Sequence, residues 1–286
     1  MLTCERARRR HATTAGTGVF AGGSPGRKIA TRTAVLCDFP DWLCVTGELR
    51  ALKNEEQPRL RSVVSYVQRG GRMTVGQQRA WEKHWPQLGR TVRSLEPGPV
   101  DFDEWFGRSA PVMLEIGSGM GETTSQLAAA APEINYVAAE VYEAGLGQLM
   151  LRAENLGVTN LRLVHGDAVI LLTEHVKPGS LAGVRLFFPD PWPKKKHHKR
   201  RIVQPDFAAL VASRLAPGGT FHMATDWEHY AEQMLEVASA EPALRNRHAD
   251  EPGGWAPRPQ WRPITKFENR AHDGGRICHD LIFERR

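Results

Sequence analysis

From Pro111 to the carboxyl end the chain repeats one unit, a short apolar run followed by a longer amphipathic stretch. That alternation limits the fold more than any other feature. The runs VMLEI, NYVAAE, LRLV, GVRLFF, GTFHMATD and HDLIFER read as strands, and the stretches Glu122 to Ala131, Glu143 to Leu156, Gln204 to Leu215 and Trp227 to Ala240 read as helices. Strand and helix in succession predict an α/β fold, with a mostly parallel sheet covered by helices on both faces. In such sheets a ligand binds beyond the carboxyl ends of the strands, so the residues just after each run are the candidates for function. The Gly/Pro-rich stretch EPGGWAPRPQWRP, Glu251 to Pro263, interrupts the rhythm and reads as a long loop.

The first strand end reads LEIGSGMGE, Leu114 to Glu122. Gly117, Gly119 and Gly121 would let the backbone pass close to a bound nucleotide, although a tight turn alone also explains them. The spacing is GxGxG, whereas dinucleotide binders have GxGxxG, and Glu115 stands inside the preceding strand. A carboxylate there repels a pyrophosphate and attracts an ammonium, which favours S-adenosylmethionine over a nicotinamide dinucleotide. Glu140 closes the second strand nineteen residues beyond Gly121, the spacing of an acid that accepts both hydrogen bonds of a ribose diol. Asp167 closes the third strand, where it accepts from an adenine amino group or caps a helix.

The fourth strand end is FPDPWPKKKHHKRR, Phe188 to Arg201. Glycine pattern and spaced acids resemble the class I S-adenosylmethionine-dependent methyltransferases. With this block, TDW at Thr225 to Trp227 and TKFE at Thr265 to Glu268, the chain resembles the tRNA (guanine-N7-)-methyltransferases over about Arg61 to Arg286, including RSVVSYVQRGGRMTVGQQRAWEKHWPQLG ahead of the core. The resemblance implies a Rossmann-like α/β fold, a mostly parallel seven-stranded sheet with one antiparallel strand, and tRNA as partner. It also implies methyl transfer to N7 of a variable-loop guanine, position 46. NRAHDGGRICHD, Asn269 to Asp280, departs from the family's pattern after TKFE.

Guanine offers N1–H and N2–H₂ on its Watson–Crick edge, and one fixed carboxylate can accept from both. Asp190, held between Pro189 and Pro191, suits that task and a place beside the cofactor, so it is the candidate catalytic residue. Trp192 either offers a flat surface to an extruded base or anchors the turn in the core. Asp226 caps a helix or contacts substrate, and Thr265, Lys266, Phe267 and Glu268 enter the last strand or complete the substrate pocket, as the resemblance implies. Lys194 would lie nearest the target nucleotide.

Six Lys/Arg residues and two histidines fill Lys194 to Arg201, and the whole chain carries a formal charge of +6, which suits a polyanionic partner. Lys196, His197, His198, Lys199, Arg200 and Arg201 are expected to track the RNA backbone. The two histidines have no acid at metal-ligand spacing, and Cys4, Cys37, Cys44 and Cys278 form no CxxC pair, so no metal site is expected. Cysteine usage fits a reducing cytoplasm, and no apolar run approaches the roughly 20 residues of a membrane span.

Residues 1–56, rich in Arg, Thr, Gly and Ser, are expected to form a disordered basic extension. Residues 57–286 are expected to form one methyltransferase domain, with 57–110 leading into a core of 111–286. Two rivals follow from the same features: a methyltransferase acting on another RNA, and a non-catalytic RNA-binding protein that keeps the fold. The sequence does not separate monomer from homodimer.

Overall fold

The structure, a computed structural model, describes residues 64–66 and 70–286. The expected basic extension, and part of the lead-in, lie outside the described residues. A capping box opens the first element: Thr74 accepts from the Gln77 N–H while the Gln77 side chain accepts from the Thr74 N–H, starting α1 (Val75–Leu88). After β1 (Gly89–Thr91) and the short α2 (Phe102–Phe106), the alternation proper begins with β2 (Val112–Ile116), α3 (Glu122–Ala130), β3 (Asn135–Glu140), α4 (Glu143–Asn155) and β4 (Leu161–His165). It continues with α5 (Ala168–Ile170), β5 (Leu181–Phe187), α6 (Pro205–Arg214), β6 (Leu215–Thr225), α7 (Glu228–Ala240), β7 (Leu244–Asn246), α8 (Lys266–Asp273) and β8 (His279–Arg285).

The sheet order is β1-β4-β3-β2-β5-β6-β8-β7. The pairs from β1 to β6 are parallel, and β8 runs antiparallel to both β6 and β7. The described residues therefore form eight strands where seven were expected. The addition is β1, a three-residue edge strand from the lead-in that pairs with β4. Three residues carry too little periodicity to be read as a strand from sequence.

Every residue of β2 and β3 is buried, which explains their nearly continuous apolar runs. Alternate side chains build two cores. On one face Leu114, Val137, Val184, Phe221, Met223 and Leu281 pack with Val211 of α6 and Met234 of α7. On the other, Met113, Tyr136, Ala138 and Leu163 pack with Leu127 of α3, and with Leu146, Leu149 and Met150 of α4.

The second face changes character beyond β2. Glu115 of β2 is in register with Arg185 of β5, and Arg185 with His222 of β6. His222 meets Asp280 of β8 at 2.7 Å. The loop 251–263 covers this polar row. Its Arg262, buried in the interior, donates to Asp280 at 2.9 Å and to both oxygens of Glu268, which Arg258 also grips. Burial alone would raise the Glu268 pKa, but the two guanidiniums hold it below the usual carboxylate range.

Removing one partner of a buried ion cluster leaves the other charge uncompensated, which costs far more than the pair contributes. Glu268→Gln is therefore expected to lower unfolding stability by about 3 kcal/mol in urea titration. A loss below about 1 kcal/mol would contradict a buried, charge-balancing role for this carboxylate.

Candidate active site

The glycine turn after β2 is left-handed at three points, Gly117 (φ 75°), Gly119 (φ 55°) and Gly121 (φ 72°), the last serving as N-cap of α3. The turn is held from the neighbouring strand. Glu140, at the end of β3, accepts from the Gly119 N–H at 2.7 Å and, through its other oxygen, from the N–H groups of Val141 and Tyr142 at 2.7 and 2.9 Å. Above the turn the space is open: a Cβ added at Gly117 or Gly119 would meet nothing within 4 Å.

That space belongs to a cleft at the carboxyl ends of β2, β3, β4 and β5. Gly117, Gly119, Glu140, Asp167 and Asp190 line it, together with Ser65, Tyr66, Tyr142, Phe188 and Phe267. Asp167 caps α5 by accepting from the Val169 N–H at 2.8 Å, and it also lines the cleft. A second cleft shares the turn and adds Glu115, Glu122, Thr265 and Lys266 to its wall, with Phe267 common to both. One oxygen of buried Glu115 has no hydrogen-bond partner there. Burial pushes its pKa up to about 7, against the pull of Arg185.

The fourth acid is presented by a strained turn. Phe188 (φ 51°) and Trp192 (φ 43°) are the non-glycine residues with positive φ among those described, and they bracket Pro189, Asp190 and Pro191. Each such residue costs about 1–3 kcal/mol and persists only when its surroundings fix it. The Phe188 N–H is tied to the Ala224 carbonyl at 2.7 Å. Trp192 donates from its indole to the Ser65 carbonyl at 3.3 Å and carries the Arg200 guanidinium over its ring at 4.9 Å. Of its two readings, the anchor is the one these contacts supply. Among the aromatic residues of the cleft, Phe188 and Phe267 stack with centroids 6.4 Å apart and planes at 18°.

The structure divides the basic block. Lys194, Lys196, Lys199 and Arg200 are exposed, and His197 and His198 are half-buried. Burial first, then the surrounding cations, lowers the pKa of both imidazoles, leaving the positive charge to the lysines and Arg200. Arg201 departs from its expected place on the RNA-facing surface. It is 1% exposed, donates to the Pro191 carbonyl at 2.9 Å and to Gln233 at 2.7 Å, and packs over Tyr230, so it braces the Asp190 turn from inside.

The expected substrate residues also part company. Phe267 reaches both clefts, while Lys266 and Thr265 reach the second; Thr265 also caps α8 by accepting from the Glu268 N–H at 3.3 Å. Glu268 is wholly buried among Arg258 and Arg262 and is not among the residues lining either cleft. Asp226 accepts from Arg276 at 2.8 Å, and neither it nor Lys194 is among the residues lining the clefts. Three potential metal ligands, Glu268, His272 and Cys278, lie within 4.8 Å of one another. The arginines occupy the carboxylate, and burial pushes the Cys278 thiol up to about 11, so the set is poor in free lone pairs for a cation.

Several wall residues escaped the sequence reading. Ser65, Tyr66 and Tyr142 carry no motif, and Phe188 was passed over although it opens the quoted block. The signal that could have found Phe188 is its position, the first residue beyond β5 in a fold whose ligands lie there.

A family model described as "Putative methyltransferase" matches residues 109–281. A tRNA (guanine-N(7)-)-methyltransferase of Aeromonas hydrophila is 50% identical over 232 residues, covering 81% of this chain and 96% of the relative. The protein of the same name from Streptomyces coelicolor is 50% identical over 225 residues, covering 79% and 82%. That from Shewanella putrefaciens is 51% identical over 232 residues, covering 81% and 95%. With the parallel sheet, the glycine turn and the proline-framed aspartate in one cleft, these matches show that the chain belongs to the tRNA (guanine-N7-)-methyltransferase family.

Proposed function

We propose that the cleft beyond β2 to β5 is where this chain, an S-adenosylmethionine-dependent methyltransferase, transfers a methyl group to N7 of guanine 46 in the variable loop of tRNA. One observation carries the assignment of roles: the open glycine turn and Asp190 share one wall-to-wall cleft. The residues fit the cofactor. Glu115 offers an unpartnered buried oxygen to an ammonium, Glu140 and Asp167 stand at the ends of β3 and β4 for ribose and adenine, and the room above Gly117 and Gly119 admits the adenosyl group. Bound there, S-adenosylmethionine supplies an electrophilic methyl on a sulfonium.

The chain's own work is alignment. Guanine N7 has a lone pair and no proton, so its attack requires no general base. Asp190 accepts from the base edge and fixes its plane, Phe188 and Phe267 supply apolar faces, and Lys266 lies at the rim. Positioning of this kind contributes several kcal/mol to a transfer step. The methylated base is cationic, and the Asp190 carboxylate stabilises the charge that arrives on it. Arg201 and Trp192 keep that carboxylate in place. Lys196, Lys199 and Arg200 neutralise phosphates outside the cleft, and Lys194 and Asp226 act at its margin when RNA is present. Among the described residues no helix is long and apolar enough to cross a membrane, and a cytoplasmic location is part of this proposal.

Incubation of the full chain with methyl-labelled cofactor and unmodified tRNA, followed by chemical cleavage at 7-methylguanosine, should place the label at position 46. Asp190→Ala should lower transfer at least about a hundredfold while cofactor affinity stays near that of the parent; a variant with parent activity would remove Asp190 from the chemistry. Replacing Lys196, Lys199 and Arg200 together should weaken tRNA capture and reduce the slope of affinity against salt by about 3. An unchanged slope would show that the block does not meet phosphates.

Ionisation of Glu115 gives a pH dependence. With its pKa near 7 in the free protein, the carboxyl must lose its proton before it can receive an ammonium. Cofactor affinity should therefore be weaker at pH 6 than at pH 8, and Glu115→Gln should flatten the difference in calorimetric titration. Because a raised carboxyl pKa opposes folding as pH climbs from the ordinary carboxylate range through about 7, the cofactor should also raise Tm more at pH 8. Equal affinity at both pH values in the parent protein would count against Glu115 as the ammonium site.

A further inference from the structure

We propose that Trp261 is a stacking platform for an unpaired base of the tRNA adjacent to the target guanine, a second nucleotide subsite that rests on the reading just given. The platform is built up from the sheet. Buried Arg185 of β5 lies 5.4 Å from the ring centre of buried Tyr136 and 4.8 Å from that of Trp261. His222 meets the Trp261 ring edge-on, with centroids 5.4 Å apart. The indole is thus fixed from beneath by a cation and an imidazole, yet it remains 48% exposed. Proline residues at 259 and 263 restrict the loop on either side.

A large aromatic left this open, and held this firmly, has paid its ordering cost before any partner arrives. Its place connects it to the site. Arg185 is the register partner of Glu115, which lines the second cleft, and Thr265, Lys266 and Phe267 follow Trp261 within six positions and line that cleft too. Charge selects the partner. Lys266 and Arg270 are exposed in the stretch of chain that follows, Arg276 is paired with Asp226, and of the two acids among them Glu268 is buried and balanced by Arg258 and Arg262 while Asp273 is exposed. An exposed indole backed by the Arg185 guanidinium, with Lys266 and Arg270 following it in the chain, suits a base on a polyanionic backbone. Once the target guanine is extruded, its neighbour loses a stacking partner and needs another flat surface.

The test uses the full chain with unmodified tRNA and methyl-labelled cofactor. Trp261→Ala is expected to raise KM for tRNA about tenfold, with kcat and cofactor affinity unchanged, and Trp261→Phe to restore most of the loss. The salt slope of tRNA affinity should not move, because stacking releases no counterions. KM within about twofold of the parent would overturn the inference. So would a rise accompanied by equal losses in Tm and cofactor binding, which marks a purely structural role, or a shift from dimer to monomer in sedimentation, which marks a face covered by a second copy. If the parent protein itself transfers no methyl to tRNA, the reading of the site fails, a result distinct from equal activity of parent and variant.

Discussion

Carboxylates at the carboxyl ends of four adjacent parallel strands are the constraint around which this molecule is arranged. Glu115, Glu140, Asp167 and Asp190 stand within or beyond β2, β3, β4 and β5, where like charges raise one another's energy unless each finds compensation. The compensation differs at every position. Glu140 takes three backbone N–H groups and so fixes the glycine turn, and Asp167 is absorbed into a helix cap. Glu115 has Arg185 across the strand pair and a pKa near neutrality. Asp190 is carried on a turn with two left-handed aromatic residues at its ends. In the function proposed for this cleft, a ligand with an ammonium, a diol and an exocyclic amine would meet the first three acids, and a guanine edge would meet the fourth.

Rigid support around these acids comes from arginines that the amino-acid sequence makes indistinguishable from those on the surface. Arg201 reaches back under the Asp190 turn, Arg262 ties the loop 251–263 to β8 and α8, and Arg185 fills the polar row beside Glu115. Guanidinium suits these places because its planar fork satisfies several acceptors and stacks on aromatic rings together. The same +6 surplus that suggests a nucleic-acid partner therefore contains charges committed to the interior. Charge counts along the chain overstate the exposed basic surface for this reason.

Much of the fold was legible because buried parallel strands are apolar throughout and the helices between them are amphipathic. The runs at Val112–Ile116, Asn135–Glu140 and His279–Arg285 were read with the bounds the structure has, and the four central helices within one or two residues. Short elements were missed. β1 and β7 have three residues each, and α8 begins inside TKFE, where a motif drew attention away from its Thr265 cap. At the site, spacing located the acids and glycines of the cleft, since strand ends are set by local pattern. It could not tell Trp192, an anchor, from Phe188, a wall, nor show that Glu268 faces arginines. Those distinctions arise from contacts between segments tens of residues apart, such as Trp192 with Ser65.

The most direct test of the arrangement is a crystal structure of the chain with S-adenosylhomocysteine and a guanosine nucleotide. The account predicts the amino group of the thioether ligand at Glu115, its ribose at Glu140, and the Watson–Crick edge of guanine at Asp190 with N7 turned toward sulfur. An adenosyl group lodged away from the glycine turn, or a guanine held with Asp190 pointing out of the cleft, would contradict it.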